Sequence, residues 1–240
     1  MQDNRSNGVQ IAHNIAIHDK IAHKYNAIHG ETSNDVEQAR LHDTLAGVRT
    51  GAKPVAALDF ECGSDNLSHH LLDLGALVTA ADVSRGFLDL VQERFQGDRP
   101  TTLWIKNGDA SGVADASFDL IATYSVLHHI PDYLGAVGDL ARMCKPSGVS
   151  MIDHEASEGS WTAEAVFGVF RRAALKTDWG KYLTTMNYLH RVRRLFNPRH
   201  SNEGDIHYWH NDDIDRDDVF TLYRDRCSDT RMVRFRKCAA

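Results

Sequence analysis

Short apolar runs alternate with helical segments over residues 55–154, and this alternation limits the possible folds more than any other feature. The apolar runs are VAALDF, ALVTAADV, TLWIKNGD, SFDLIATYSV and VSMIDH, at residues 55–60, 76–83, 102–109, 117–126 and 149–154. Segments with helical periodicity lie among them, at residues 66–75, 84–95 and 133–144. Strands that alternate with helices at this spacing predict an α/β fold with a parallel, doubly wound sheet.

The segments before and after residues 55–154 predict an N-terminal cap, an insertion and a C-terminal element. Residues 1–50 hold two helical segments, the second with Asn34 as its N-cap, and predict an N-terminal helical cap. We expect the core at residues 51–156, a helical insertion or lid at 157–212, and a closing helix and strand at 213–240. The insertion joins a basic segment to an acidic one. These are either solvated faces that pair with each other or a lid over an anionic substrate.

Composition and charge exclude several classes of protein. The chain has 27 Lys and Arg against 33 Asp and Glu, and this net charge of −6 argues against general binding of nucleic acid. No apolar run approaches the roughly 18 residues that span a bilayer, and the first ten residues do not resemble a secretory signal. We therefore expect a cytoplasmic protein. Its four cysteines form no C-x-x-C pair, so we expect reduced thiols and no metal site.

Polar residues follow the predicted strands at their carboxyl ends, where doubly wound sheets bind ligands. Asp59 lies at the end of the first strand, and Asp82 lies at the end of the second. A carboxylate at the second position can accept hydrogen bonds from both hydroxyls of a ribose. Further polar groups follow strands three, four and five, so the spacing predicts a cleft with acidic ends.

Several stretches, in this order, resemble the motifs of class I S-adenosylmethionine (SAM)-dependent methyltransferases. LDFECGSDNLSHHLLDLGALVTAADVS is similar to their first two motifs and NGDASGVADASFDLIATYSVLHHIPD to the next two. LARMCKPSGVSMI is similar to the helix, turn and fifth strand, and IAIHDKIAHKYNAIH resembles the cap helix of small-molecule members. The resemblance covers about residues 55–154. It implies a Rossmann-like fold with cap helices and an insertion after strand five, and SAM as the cofactor.

The resemblance also implies which residues bind the cofactor. Asp82 would accept from the ribose hydroxyls, and Asp109 from the adenine amino group. Asp59 and Gly63 would line the methionine part, and Tyr25 would cover the pocket from the cap helix. The complete expected set is Tyr25, Asp59, Glu61, Gly63, Asp82, Val83, Asp109, Ala110, Tyr124 and Ser125.

The glycine-rich loop departs from the pattern of that family. The three glycine positions of G-x-G-x-G hold Glu61, Gly63 and Asp65. Glycine permits a positive φ and a close backbone approach, so Glu61 adds bulk and charge beside the ligand. It either pairs with the ammonium or sulfonium of SAM or blocks the site. The absence of G-x-G-x-x-G also weakens an interpretation as a dinucleotide site.

Histidines near the ends of strands four and five are candidate bases for a methyl acceptor that must lose a proton. These catalytic candidates are His128, His129 and His154. Alternatively, one of His128 and His129 packs in the protein and the other is solvated, and His154 belongs to a hydrogen-bonded cluster at the end of the strand without a catalytic role. The candidates for substrate binding are Glu155, His207, Tyr208 and Trp209. The Tyr-Trp pair either lines an aromatic pocket or packs in a core or an interface.

These features together predict a SAM-dependent methyltransferase that acts on oxygen or nitrogen of a small molecule, such as a specialised metabolite or a sugar-like compound. Two alternatives stay open: a protein of this fold that binds SAM or its product and catalyses another reaction, and a non-catalytic partner subunit. We expect no nucleic-acid or membrane partner. Only one clear strand follows strand five, whereas the sheets of that family have seven strands. An open sheet edge therefore favours a homodimer.

Overall fold

One parallel sheet organises the protein. The computed structural model describes residues 4–25, 34–48, 54–95, 99–108, 110–155 and 214–226. In these ranges the strands are β1 (Ala56–Phe60), β2 (Leu77–Asp82), β3 (Thr101–Trp104), β4 (Phe118–Tyr124) and β5 (Cys144–Asp153). They lie in the order β3-β2-β1-β4-β5, and each neighbouring pair is parallel. The predicted doubly wound α/β sheet is confirmed, and its topological switch point lies between β1 and β4.

Helices cover both faces of this sheet. In the described ranges they are α1 (Asn4–Ile21), α2 (Asp35–Val48), α3 (Ser68–Asp73), α4 (Arg85–Phe95), α5 (Tyr133–Met143) and α6 (Arg216–Arg226). Short 3-10 turns occupy Ala22–Lys24, Lys106–Gly108 and Leu127–His129. None of the helices in these ranges is long and apolar enough to cross a membrane.

Alternating side chains of β1 separate two apolar layers. Ala57 packs in a buried cluster with Leu45 of α2, whereas Leu58 belongs to a second cluster with Val137 and Leu140 of α5. Successive residues of a strand point to opposite faces, so both layers are anchored on the same short strand. A parallel sheet covered on both faces leaves its strand ends as the accessible edge.

The start of α2 is the one that the sequence predicts. The Glu37 backbone N–H donates to Asn34 Oδ1 at 3.0 Å, which confirms Asn34 as the N-cap. This bond satisfies one of the N–H groups that a helix leaves free in its first turn.

Strand β5 begins earlier than predicted. Phe118 pairs with Cys144 and Leu120 pairs with Val149, so residues 145–148 bulge out between these two pairs. The predicted turn at these residues is thus an interruption within a longer strand. A Cβ at Gly148 would lie 2.9 Å from the Asp119 carbonyl oxygen, so this bulge requires a glycine.

Strand β3 ends earlier than predicted, at Trp104, because the chain turns into the 3-10 segment Lys106–Gly108. The predicted lid and the strand near residues 230–237 fall outside the described residues. The predicted domain boundaries stay predictions.

Candidate active site

The loop after β1 has a left-handed backbone at all three positions where the family pattern has glycine. The φ angle is +56° at Glu61, +52° at Gly63 and +78° at Asp65. This conformation costs a residue with a Cβ about 1–2 kcal/mol, although Asp tolerates it better than Glu. The loop therefore keeps the shape that glycines would give it, with the strain concentrated at Glu61.

Asp82 joins the ends of β1 and β2. Its Oδ2 accepts from the Gly63 backbone N–H at 2.9 Å, and its Oδ1 accepts from the Ser84 N–H at 2.7 Å. The side chain is buried, and burial raises its pKa to about 6. Each carboxylate oxygen can accept a second hydrogen bond, so Asp82 can still receive the two hydroxyls of a ribose.

Glu61 lies beside Asp82. Its Oε2 accepts a long hydrogen bond of 3.5 Å from the backbone N–H of Val83, the residue after Asp82. Burial and the neighbouring charge of Asp82 raise the pKa of Glu61 well above its usual value. Two carboxyl groups therefore converge on the end of β2, where the sequence predicts the ribose of a cofactor.

Two further acids flank this pair. Asp59 is buried and accepts from Ser68 Oγ at 2.7 Å, and burial raises its pKa to about 7. Asp65 forms a salt bridge with Arg94 of α4. In the part of the chain that the structure describes, no salt bridge links Asp59, Glu61 or Asp82 to a cation.

The cap helix α1 docks on the start of α4. Asp19 Oδ1 accepts from Ser84 Oγ at 2.5 Å and from the Gly86 backbone N–H at 3.0 Å. A Cβ at Gly86 would lie 3.0 Å from the Asp19 Cα, so the close approach of the two helices depends on this glycine. Sequence analysis did not identify Asp19, because nothing local marks its partner 65 residues away.

Aromatic rings extend this contact towards the loop after β4. Tyr25 packs edge-on against Phe87 of α4, with ring centroids 5.1 Å apart. The ring of His18 lies 5.7 Å from that of Phe87 and 5.7 Å from that of His129. The expected cofactor residue Tyr25 and the candidate base His129 are thereby brought to one contact region between cap and core.

A cleft of about 290 Å³ lies between the cap and the ends of β2 and β3. Its lining residues are Ala12, Ile15, Asp19, Val83, Arg85 and Trp104. Trp104 donates its indole N–H to the Val83 carbonyl at 3.0 Å, and the Arg85 guanidinium lies 3.8 Å from its ring centroid. Such a wall of aliphatic and aromatic groups can hold a flat ring.

A second polar network lies at the ends of β4 and β5. The Tyr124 hydroxyl donates to Glu37 Oε1 at 2.8 Å, and Arg40 Nη2 donates to the same oxygen at 2.6 Å and to Asp153 Oδ2 at 2.8 Å. Burial acts to raise the pKa of Glu37, but hydrogen bonds from Arg40 and Tyr124 hold it below its usual value. Sequence analysis missed Arg40, since its partner Asp153 is 113 residues away.

Glu155, which follows β5, contacts His128 in the loop after β4. Glu155 Oε1 accepts from the Val126 and Leu127 N–H groups at 2.5 and 2.8 Å, and its Oε2 lies 2.9 Å from His128 Nδ1. Both side chains are buried. The candidate substrate residue Glu155 thus has three internal partners, and it orients the candidate base His128.

Backbone strain marks the residues that follow three strands. Glu61, Ser125 and His154, directly after β1, β4 and β5, have φ angles of +56°, +61° and +59°. The His154 ring stacks on Tyr124 with centroids 4.8 Å apart, whereas the His128 and His129 rings contact each other with centroids 4.1 Å apart. Strained residues often cluster at functional sites, and here they lie at the carboxyl ends of the strands, where such sheets bind ligands.

The roles of five further predicted residues stay predictions. Asp109, His207, Tyr208 and Trp209 fall outside the described residues. Ala110 is buried in the core, and its carbonyl accepts from Arg142 at 3.1 Å. Among the residues that the structure describes, no group of three His, Cys, Asp or Glu could hold a metal ion.

Comparison with known proteins gives this geometry a context. Residues 58–152 match the methyltransferase domain family. An uncharacterised protein of Mycobacterium tuberculosis is 30% identical over 125 residues, which cover 51% of this chain and 42% of that protein. A demethylmenaquinone methyltransferase of Staphylococcus aureus is 30% identical over 158 residues, which cover 62% of this chain and 61% of that enzyme.

A solved structure is also similar in fold. Phosphoethanolamine N-methyltransferase 1 of Haemonchus contortus aligns with a TM-score of 0.51 and 18% identity, over 63% of this chain and 34% of that chain. The chain spans less than two thirds of the length of each of these relatives. The family match runs from β1 to β5, the strands whose ends carry the site. Over residues 58–152 this protein therefore matches the methyltransferase domain family, as the resemblance of its motifs to class I SAM-dependent methyltransferases predicts.

Proposed function

We propose that this protein transfers the methyl group of SAM to an oxygen or nitrogen of a small-molecule acceptor. One observation carries the proposal: Asp82 and the left-handed loop at residues 61–65 are joined by the Gly63 N–H bond at the edge where such sheets bind ligands. The match of residues 58–152 to the methyltransferase domain supports it. The relative named as a demethylmenaquinone methyltransferase supports a small acceptor.

The residues at the β1–β2 end suit the parts of SAM. Asp82 accepts from the ribose hydroxyls with the lone pairs that its two backbone bonds leave free. The adenine ring enters the cleft between Val83, Ile15 and Trp104. Gly63 lies against the methionine part, where the lack of a side chain leaves room for the ligand.

The protein's contribution to the reaction is chiefly alignment. SAM, when bound, supplies an electrophilic methyl group on a sulfonium. Helix α1, held by Asp19, and Tyr25 above Phe87 exclude water from the strand ends and restrict the directions from which an acceptor approaches. An acceptor that must lose a proton needs a base within hydrogen-bond reach.

His129 is the base that we favour. Its ring lies 4.1 Å from that of His128 and 5.7 Å from that of His18, between the core and the cap. His128 is oriented by Glu155 and so serves as a positioning residue. His207, Tyr208 and Trp209 of the insertion complete the acceptor pocket in this proposal.

A second function is favoured by the position of Glu61. Its carboxyl lies against Val83, beside the groups that would bind ribose and adenine. A protein whose site is altered there could bind SAM or its product and catalyse a reaction without methyl transfer.

An assay of methyl transfer separates these functions. The full chain is incubated with SAM and panels of phenols, quinols, sugars and amines, and S-adenosylhomocysteine and methylated products are measured by mass spectrometry. We expect S-adenosylhomocysteine to form only with certain acceptors, and Asp82→Ala to slow its formation when SAM is below saturation. Binding of SAM without turnover by any acceptor class would favour the second function. Absence of binding would contradict both.

A further inference from the structure

We infer that Glu61 is a specificity-determining residue, which makes the cofactor site bind SAM, with its positively charged sulfonium, more tightly than the product S-adenosylhomocysteine, whose sulfur is neutral. The inference rests on the proposed function, because it concerns the same site. It goes beyond that function because it assigns a role to the side chain at which this chain departs from the glycine pattern.

The location of the Glu61 carboxyl is the first argument. Oε2 lies 3.5 Å from the Val83 N–H, and Val83 directly follows the proposed ribose ligand Asp82. The sulfonium of SAM is bonded to the 5′ carbon of that ribose. A carboxylate at the ribose is therefore close enough to interact with the sulfonium in a partly buried site, where charges are weakly screened.

The hydrogen bonding of the four acids is the second argument. Asp65 pairs with Arg94, Asp59 accepts from Ser68, and Asp82 accepts two backbone N–H groups. Within the described part of the chain, Glu61 has a single long hydrogen bond. A partly buried acid with so little internal compensation gains most from an external cation.

The chemistry of the two ligands is the third argument. SAM and S-adenosylhomocysteine share their adenine, ribose, ammonium and carboxylate groups, so neutral contacts and hydrogen bonds scarcely distinguish them. They differ by a methyl group and by one positive charge on sulfur. A neighbouring carboxylate therefore favours SAM, and it weakens product binding relative to substrate binding.

Proton release provides a readout that a merely structural role would not change. Burial and the charge of Asp82 raise the pKa of Glu61, so an arriving cation should displace a proton from this pair. The charged groups that act on Asp82 are His18 and Asp19 from α1, and Asp59 lies close by on β1. Binding of SAM should therefore release more protons than binding of S-adenosylhomocysteine.

The test is calorimetric titration of the full chain with SAM and with S-adenosylhomocysteine, in two buffers of different ionisation enthalpy. The variants are Glu61→Gln, which keeps the shape of the side chain, and Glu61→Gly, which suits the left-handed backbone. Glu93→Gln, an exposed position on α4, is the matched control for loss of one charge. We expect the Kd ratio of product to SAM to fall about tenfold in both Glu61 variants and to stay unchanged in the control.

The other outcomes overturn the inference in distinguishable ways. An unchanged ratio with both ligands bound overturns the role of Glu61 and leaves the proposed function intact. Tighter binding of both ligands to Glu61→Gly with an unchanged ratio shows that Glu61 only obstructs the site, which also overturns the inference. Failure of the wild type and all variants to bind either ligand overturns the proposed function and this inference with it.

Discussion

The acidic residues at the carboxyl ends of the strands have different hydrogen-bond partners on the two sides of the sheet. At the β4–β5 end, Arg40 bridges Glu37 and Asp153, and Glu155 accepts from two backbone N–H groups. At the β1–β2 end, Asp82 accepts from two backbone N–H groups and from the Cys62 thiol at 4.0 Å, and Glu61 has one long bond. We call the first end complete, because each of these acids has a cation or two N–H donors as partners. We call the second end incomplete, because Glu61 has one long bond at the place where a cationic ligand would compensate its charge.

Backbone strain shows the same contrast. The left-handed residues after β4 and β5 are held by hydrogen bonds, from the Ser125 N–H to the Asp153 carbonyl at 3.0 Å and from the His154 N–H to Asp153 Oδ1 at 2.7 Å. Glu61 has the same conformation, but its carboxyl accepts only the long bond from Val83. A strained, weakly held carboxyl fits a group that acts on a ligand, and a strained but well-held residue fits a structural support.

The largest expected effect is a loss of stability when an acid of the complete end is removed. Glu155→Ala leaves the Val126 and Leu127 N–H groups and the His128 ring without their acceptor, so the free energy of unfolding should fall by about 3 kcal/mol. Urea denaturation measures this loss. Glu155→Gln keeps an acceptor oxygen and should lose less. Equal, negligible losses in both variants would show that this network does not hold the loop.

The second largest expected effect is a loss of affinity for SAM when Asp82 of the incomplete end is replaced. Asp82→Ala removes the proposed ribose acceptor and should weaken SAM binding by about 1.5–3 kcal/mol, which is about 10- to 150-fold. Equilibrium dialysis with labelled SAM measures the affinity, and the exposed Asp89→Asn on α4 serves as a charge control. An affinity equal to that of the wild type would place the ribose elsewhere.

The third effect is a dependence of stability on pH, and it arises at the contact between α2 and α3 and not at either end of the sheet. His70 of α3 lies 3.0 Å from Gln38 of α2 in this contact. Burial, with the nearby His69 and His42, lowers the pKa of His70 to about 4. The unfolded chain takes up a proton near pH 6.5 and the folded chain only near pH 4, so stability due to neutral His70 is lost as pH falls through that window.

The expected loss is on the order of 1–2 kcal/mol between pH 6.5 and 4, and His70→Gln should reduce it. Asp59 acts with the opposite sign, because burial raises its pKa to about 7 and its stabilising protonated form is lost as pH rises. The difference between variant and wild type in chemical denaturation at each pH therefore isolates His70. Parallel pH curves would contradict the assignment.

The smallest effect tests strain in the loop. Glu61→Gly relieves the φ of +56° and should stabilise the ligand-free protein by about 1 kcal/mol. Gly63→Ala is the matched control: its Cβ would meet nothing within 4 Å, so the φ of +52° alone should cost about 1 kcal/mol. Thermal unfolding without ligand measures both. Changes of the same sign in the two variants would contradict the strain account.

Local sequence patterns predict the fold well and the site only in part. The alternation of strands and helices gives the sheet, and the residues at strand ends, such as Asp59 and Asp82, follow from it. The N-cap at Asn34 depends on contacts within three residues, so sequence alone finds it. The start of β5 depends on its pairing with Phe118, which no local pattern encodes.

Contacts between distant segments explain what sequence analysis missed. Arg40 and Asp19 are ordinary polar residues of helices until folding brings them to Asp153 and Ser84. The substitution at Glu61 was visible, but its left-handed backbone and its place beside Asp82 were not. Tertiary packing decides which acids are compensated, and composition cannot show it.

Calorimetric titration of the full chain with SAM tests the central claim most directly, namely that the incomplete end of the sheet is a cofactor site. We predict saturable binding at one site in the micromolar range, binding of S-adenosylhomocysteine at the same site, and none of NAD. Failure of SAM to bind, or binding that NAD displaces, would contradict the account.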